Sequence, residues 1–110
     1  MLYSTFEVDN TKYKLRITTR SLIELERALG INPMYVFANA ENHNVPTVEQ
    51  MAQILYHSLT AYHSELTLED AYKIFDKWLD EGHIYNEFVR VITEVYIVSG
   101  IFKADSGKNA

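Results

Sequence analysis

The chain has 110 residues, a net charge of −5, 47% hydrophobic and 23% charged residues, and no cysteine. This is the composition of one globular domain, able to bury roughly two-thirds of its unfolded surface around a single core. Without cysteine, disulfides, thiolate metal sites and a cysteine nucleophile are excluded, and the acidic balance argues against nucleic acid as the main partner.

The opening MLYSTFEVDN has neither the basic start nor the apolar run of a signal peptide. The longest apolar-rich segment, Ile84 to Ile101, is broken by Asn86, Glu87, Arg90 and Glu94. A membrane span needs about 20 mostly apolar residues, so a soluble protein with no membrane partner is expected. The one basic cluster, Lys12, Lys14, Arg16 and Arg20, reads as a solvated face.

In chain order, Leu2 to Val8 and Lys12 to Ile17 alternate as a β-hairpin around a two-residue Asp9-Asn10 turn of type I′ geometry. That register sets Phe6 opposite Tyr13, with Val8 and Leu15 on the same face, and Glu7 opposite Lys12 on the other. Two strands alone are marginal and must pack on something. A helix from about Arg20 to Leu29 offers Leu22, Leu25 and Leu29, and Gly30 ends it. Asn32-Pro33 starts a brief helical turn, Met34 to Ala38, and the stretch from Asn39 to Pro46 then reads as a surface loop.

Thr47 with Gln50 forms a capping box for a second helix, running to about Tyr62, with the stripe Val48, Met51, Ala52, Leu55, Leu59 and Tyr62. Thr67 caps a third, with Glu69 and Asp70 favourably placed in its first turn. Its stripe is Leu68, Ala71, Tyr72, Phe75, Trp78 and Leu79, and it stops at Gly82. The fourth, Ile84 to Val98, is apolar around much of its circumference. Ile84, Phe88, Val91, Ile92 and Val95 form one stripe; Tyr85, Val89, Tyr96, Ile97 and Val98 extend it. Such a helix is central to a core or shared with a partner. The expected fold is α+β, an N-terminal hairpin packed on about four helices, as one domain over 1–102 with a flexible polar tail at 103–110.

No catalytic motif is visible. His57 and His63 stand six apart, on different faces of a helix, no HExxH spacing exists, and such isolated histidines are expected to be solvated. The four glycines form neither GxGxxG nor a Walker loop, and no GxSxG elbow is present. Glu24 and Glu26 point in different directions on their helix, with Arg27 placed to pair with Glu24. No enzyme, cofactor or metal site is expected.

The order LRITTRSLIELERALGINPMYVF, polar loop, PTVEQMAQILYHSL, LTLEDAYKIFDKWLDEG and final apolar helix resembles the tail assembly chaperones of long-tailed bacteriophages and prophages of Gram-positive bacteria. Leu15-Arg16-Ile17-Thr18, Leu25-Glu26, Leu29-Gly30, Asn32-Pro33 and Phe37 carry the likeness, which covers about Tyr13 to Phe102. It implies a non-enzymatic helper that binds the tape measure protein, a very long helical chain, and keeps it soluble until tail tube protein polymerises around it. Such a protein acts in the cytoplasm of the bacterial host and is not part of the mature virion. The resemblance also implies a longer product of the same gene by frameshifting; Gly107-Lys108-Asn109 is codable as GGA-AAA-AAC, which contains a slippery A-AAA-AAC heptamer.

The face expected to hold the client is Tyr85, Val89, Tyr96, Ile97 and Val98. Asp at Val89 and Ile97 is then expected to abolish client binding without loss of fold. Two other classes fit the chain: a ring-forming head–tail connector or tail terminator, and a small nucleic-acid-binding regulator using the hairpin's basic face.

Overall fold

The computed structural model of the protein describes residues 2–37 and 46–103. Strands β1 (Ser4–Val8) and β2 (Thr11–Leu15) lead into α1 (Thr19–Leu29), a 3₁₀ turn at Pro33–Phe37, and α2 (Val48–Leu59). Helix α3 (Leu68–Asp80), a second 3₁₀ turn at Tyr85–Glu87 and α4 (Phe88–Val98) complete the order. The architecture is α+β, a two-stranded antiparallel hairpin followed by four helices among the described residues. Most of the expected loop, and the tail at 104–110, lie outside the described residues.

The hairpin turns as its residue types require. Asp9 and Asn10 have φ of 52° and 63°, a left-handed conformation that short polar side chains tolerate. The register pairs Phe6 with Tyr13 and Glu7 with Lys12. Ser4, Phe6 and Val8 are buried while Thr5 and Glu7 are exposed, the period of two that lays one face on the helices. β2 ends at Leu15, two residues before the expected Ile17. Beyond it the main chain changes partners: Arg16 N–H donates to Ser58 C=O at 3.0 Å, and Ile17 N–H to Ser99 Oγ at 2.8 Å.

Helices α1, α2 and α3 each open at a capping box, Thr18 with Ser21, Thr47 with Gln50 and Thr67 with Asp70. Each satisfies two main-chain donors that a helix start leaves unpaired. The hydrogen bonds from Thr67 also hold the Asp70 carboxyl below its usual range. Gly30, at φ 73°, closes α1 by donating its N–H to Glu26 C=O. α2 stops at Leu59 rather than Tyr62, because the chain tightens into turns in which Tyr62 and His63 N–H both donate to Leu59 C=O. α4 begins at Phe88 rather than Ile84: Ile84 N–H donates to Glu87 Oε1 at 2.8 Å, and the intervening turn is 3₁₀.

The central helix is α2, not α4. It packs against α1, α3, α4 and β2, and buries Met51, Ala52, Ile54, Leu55, His57, Ser58 and Leu59. Four residues of α4, Phe88, Ile92, Val95 and Tyr96, are buried. Several residues expected in core stripes stand outside instead: Val48 is 52% exposed, Tyr62 42%, Tyr72 40% and Ile84 60%. All but Tyr72 lie at or beyond a helix end.

This division of α2 is testable by urea unfolding. Leu55→Ala, at a site 1% exposed, is expected to cost about 2–5 kcal/mol. Val48→Ala is expected to cost less than about 0.5 kcal/mol.

Candidate partner-binding surface

The five residues expected on a client-holding face do not share one. Tyr96 belongs to the core: it is fully buried, and its hydroxyl donates to Pro33 C=O at 2.9 Å. Its ring meets Phe102 edge-on at 5.2 Å, and burial pushes its phenol above the ordinary value. Val89, Ile97 and Val98 are half-buried. The Val98 carbonyl accepts from the Arg16 guanidinium at 3.0 Å, which also donates to Leu2 C=O at 2.7 Å. The C-terminal end of α4 is thus fastened to the hairpin, and Asp at Ile97 would strain packing as well as surface. Tyr85 is the one of the five that is largely exposed, at 43%.

Around Tyr85 the helices leave an apolar groove of about 390 Å³. Val48, Tyr72 and Tyr85 stand at its sides with Ala52 and Phe75, while Glu49 and Asp76 supply carboxylates. The local chain explains the placement. Val48 is the first residue of α2, directly behind its cap; Tyr72, Phe75 and Asp76 recur at i, i+3 and i+4 on one face of α3. The turn through Gly82, at φ 103°, brings the chain back so that Tyr85 rests 5.7 Å from the Phe75 ring. Three exposed large apolar side chains around one depression differ from apolar residues scattered singly over a surface. Sequence reasoning placed Val48 and Tyr72 in the core. The available signal was stripe width, since they mark the outer edges of stripes too broad for so small a bundle to cover.

The histidines disperse. His57 is 6% exposed rather than solvated, and its Nδ1 has no hydrogen-bond partner among the described residues. His63 Nε2 accepts from Lys14 N–H at 3.0 Å. His83 stacks flat on Trp78 at 4.3 Å, with Nδ1 3.5 Å from Glu87. His43 lies outside the described residues. Among the described residues no three metal-ligating side chains converge, and no helix is long and apolar enough to cross a membrane. Among the described residues the close charge contacts are Lys77–Asp9 at 3.6 Å and His83–Glu87, and the expected Glu24–Arg27 pair is not one of them. No protein-family model, curated protein or solved structure matches the chain.

Burial lowers the His57 pKa below its ordinary 6.5, partly opposed by the Glu24 charge. The unfolded chain therefore takes up this proton at a higher pH than the folded one. Its contribution to stability is full above about pH 6.5 and falls as pH drops through that value toward the lower folded pKa. The urea midpoint is expected to be lower at about pH 5.5 than at about pH 7.5, and His57→Gln to reduce the difference. An identical pH dependence in the variant would show that His57 titrates alike in both states.

Proposed function

We propose that the protein is a tail assembly chaperone of a long-tailed bacteriophage or prophage. In this role it binds the tape measure protein, keeps it soluble and helps recruit tail tube subunits, in the host cytoplasm and outside the mature virion. The observation that carries the reading is the open apolar groove of Val48, Tyr72 and Tyr85 over Phe75. The ordered likeness from Leu15 to Phe102 supplies its context.

The physical logic is helix-in-groove recognition. A very long helical client with an uncovered apolar stripe aggregates. A groove of this size takes a few side chains from one or two turns, each gaining about 1.5–3 kcal/mol when fully buried. Association and side-chain ordering consume much of that gain, so each contact is weak and reversible. That suits a holder that must yield to tube subunits as they polymerise. Glu49 and Asp76 favour basic residues flanking the client's stripe. No step in this role needs a nucleophile or a metal.

Co-expression with the tape measure chain of the same element tests the reading. The client is expected to stay in the soluble fraction and co-purify with this protein and its longer frameshift product. Tyr72→Asp and Val48→Asp, both at exposed sites, are expected to cut the co-purified client about tenfold, as loss of an anchoring side chain does, without lowering the unfolding midpoint. A tape measure chain that remains insoluble and unbound, or a stoichiometric ring with capsid or tube proteins, would overturn it.

A further inference from the structure

We infer that the outer edge of β1 is a docking site for an extended, basic segment that adds to the hairpin as a third strand. Main-chain hydrogen bonding locates that edge. In an antiparallel pair, residues alternate between exchanging hydrogen bonds with the partner strand and turning their N–H and C=O away from it. On the β2 side, Lys14 N–H donates to His63 Nε2 and Arg16 N–H to Ser58 C=O, so the even-numbered residues there face away from β1. Lys14 stands opposite Thr5, and Lys12 opposite Glu7. Thr5 and Glu7 therefore turn their main-chain groups outward from β1.

The two edges are finished differently. That of β2 is covered by His63 and the end of α2. At the turn that ends β1, Asp9 N–H donates to Glu81 Oε2 at 2.6 Å. Thr5 and Glu7 have no main-chain partner outside the hairpin among the described residues.

Alongside this edge runs a cleft of about 700 Å³, within the range that holds a drug-sized ligand or short peptide. Ser4, Thr5, Phe6 and Glu7 all line it. Four consecutive residues can line one cleft only along a strand's edge, since a face presents every second residue. Across from them stand one face of α4, with Arg90, Val91 and Glu94, and Glu87 of the 3₁₀ turn before it, with Trp78 and His83 also lining the cleft. The geometry is that of strand addition, in which main-chain hydrogen bonds hold an extended peptide and alternate side chains meet the walls.

Charge defines the occupant. Glu7, Glu87 and Glu94 outnumber Arg90 in the cleft, so Lys or Arg side chains on the added strand complement it. A second copy of the chain is the wrong occupant: pairing through β1 would bring another Glu7 to a wall already rich in carboxylates. The cleft shares no lining residue with the apolar groove, and the inference does not depend on the chaperone reading.

The test is an amide chemical-shift titration of the intact protein with a short peptide alternating lysine and valine. Two comparison peptides are used, one N-methylated at alternate residues and one with glutamate in place of lysine. The lysine peptide is expected to shift Ser4 to Glu7 and the facing residues of α4, and to slow exchange of the Thr5 and Glu7 amides. Both comparison peptides, and the exposed-site variant Glu94→Lys, are expected to bind about tenfold more weakly or worse, a loss of about 1.4 kcal/mol or more. Thr5→Pro removes an outward N–H without removing a ladder bond and is expected to abolish binding that Thr5→Val retains. Should Thr5→Pro fail to fold, the N-methylated peptide tests the same pairing from the other strand. Absence of binding, binding indifferent to N-methylation, shifts confined to Val48, Tyr72 and Tyr85, or a dimer paired through β1 would each overturn the inference.

Discussion

Four rings, Phe6 from β1, Phe75 and Trp78 from α3 and Phe88 from α4, meet in one aromatic cluster that joins the hairpin to the helices. Phe75 and Phe88 lie 4.6 Å apart, Phe6 is 5.7 Å from Trp78 and 5.9 Å from Phe88, and Trp78 is 5.6 Å from Phe88. All are tilted or edge-on, the arrangements that the quadrupoles of aromatic rings prefer. A two-stranded hairpin has no independent stability, so this cluster is what turns β1 from a fluctuating ribbon into a fixed edge. It requires the register seen in β1, because a slip of one residue would send Phe6 to solvent and bring Glu7 into the cluster.

The same cluster sets both surface depressions. Phe75 lines the apolar groove and carries Tyr85 above it, whereas Phe6 and Trp78 line the cleft beside β1, with His83 stacked on the indole. A close-packed interior is stiff, so the two sites rest on one rigid body and do not have to be ordered when a partner arrives. The domain is also too small to enclose its aromatic complement. Of its eight tyrosines, Tyr96 is fully buried and delivers its hydroxyl to a main-chain carbonyl, as burial of a phenol requires. Tyr35, Tyr62, Tyr72 and Tyr85 keep 40% or more of their surface in water.

What was legible in the sequence was local. Asp9-Asn10 with period-two alternation on either side specifies turn, register and buried face together. Thr47 and Thr67 announce helix starts because a cap is a matter of a few consecutive residues. Burial at helix ends was not legible, for it depends on where a neighbour stops: Val48 and Ile84 continue the apolar period but stand exposed. Tyr96 reads as part of a second apolar face and is buried because Pro33, 63 positions away, supplies its acceptor. His57 read as solvated, yet α2 lies between four other elements and little of its circumference faces water. Nor does a sequence reveal which edge of a hairpin its own helices will cover.

That last asymmetry gives the molecule its functional character. The two grooves select by different means: one presents side chains, three exposed apolar residues that discriminate by shape and burial, while the other presents main chain, which any extended segment can pair with. Main-chain pairing alone is promiscuous, so selection at the β1 edge falls to the carboxylates of Glu7, Glu87 and Glu94. At the apolar groove Glu49 and Asp76 play the corresponding part. The net charge of −5 extends that preference beyond contact distance, drawing basic segments in and holding acidic ones off. Because such steering weakens with salt while apolar burial does not, a partner whose binding survives at high ionic strength belongs to the groove, and one released by salt belongs to the edge.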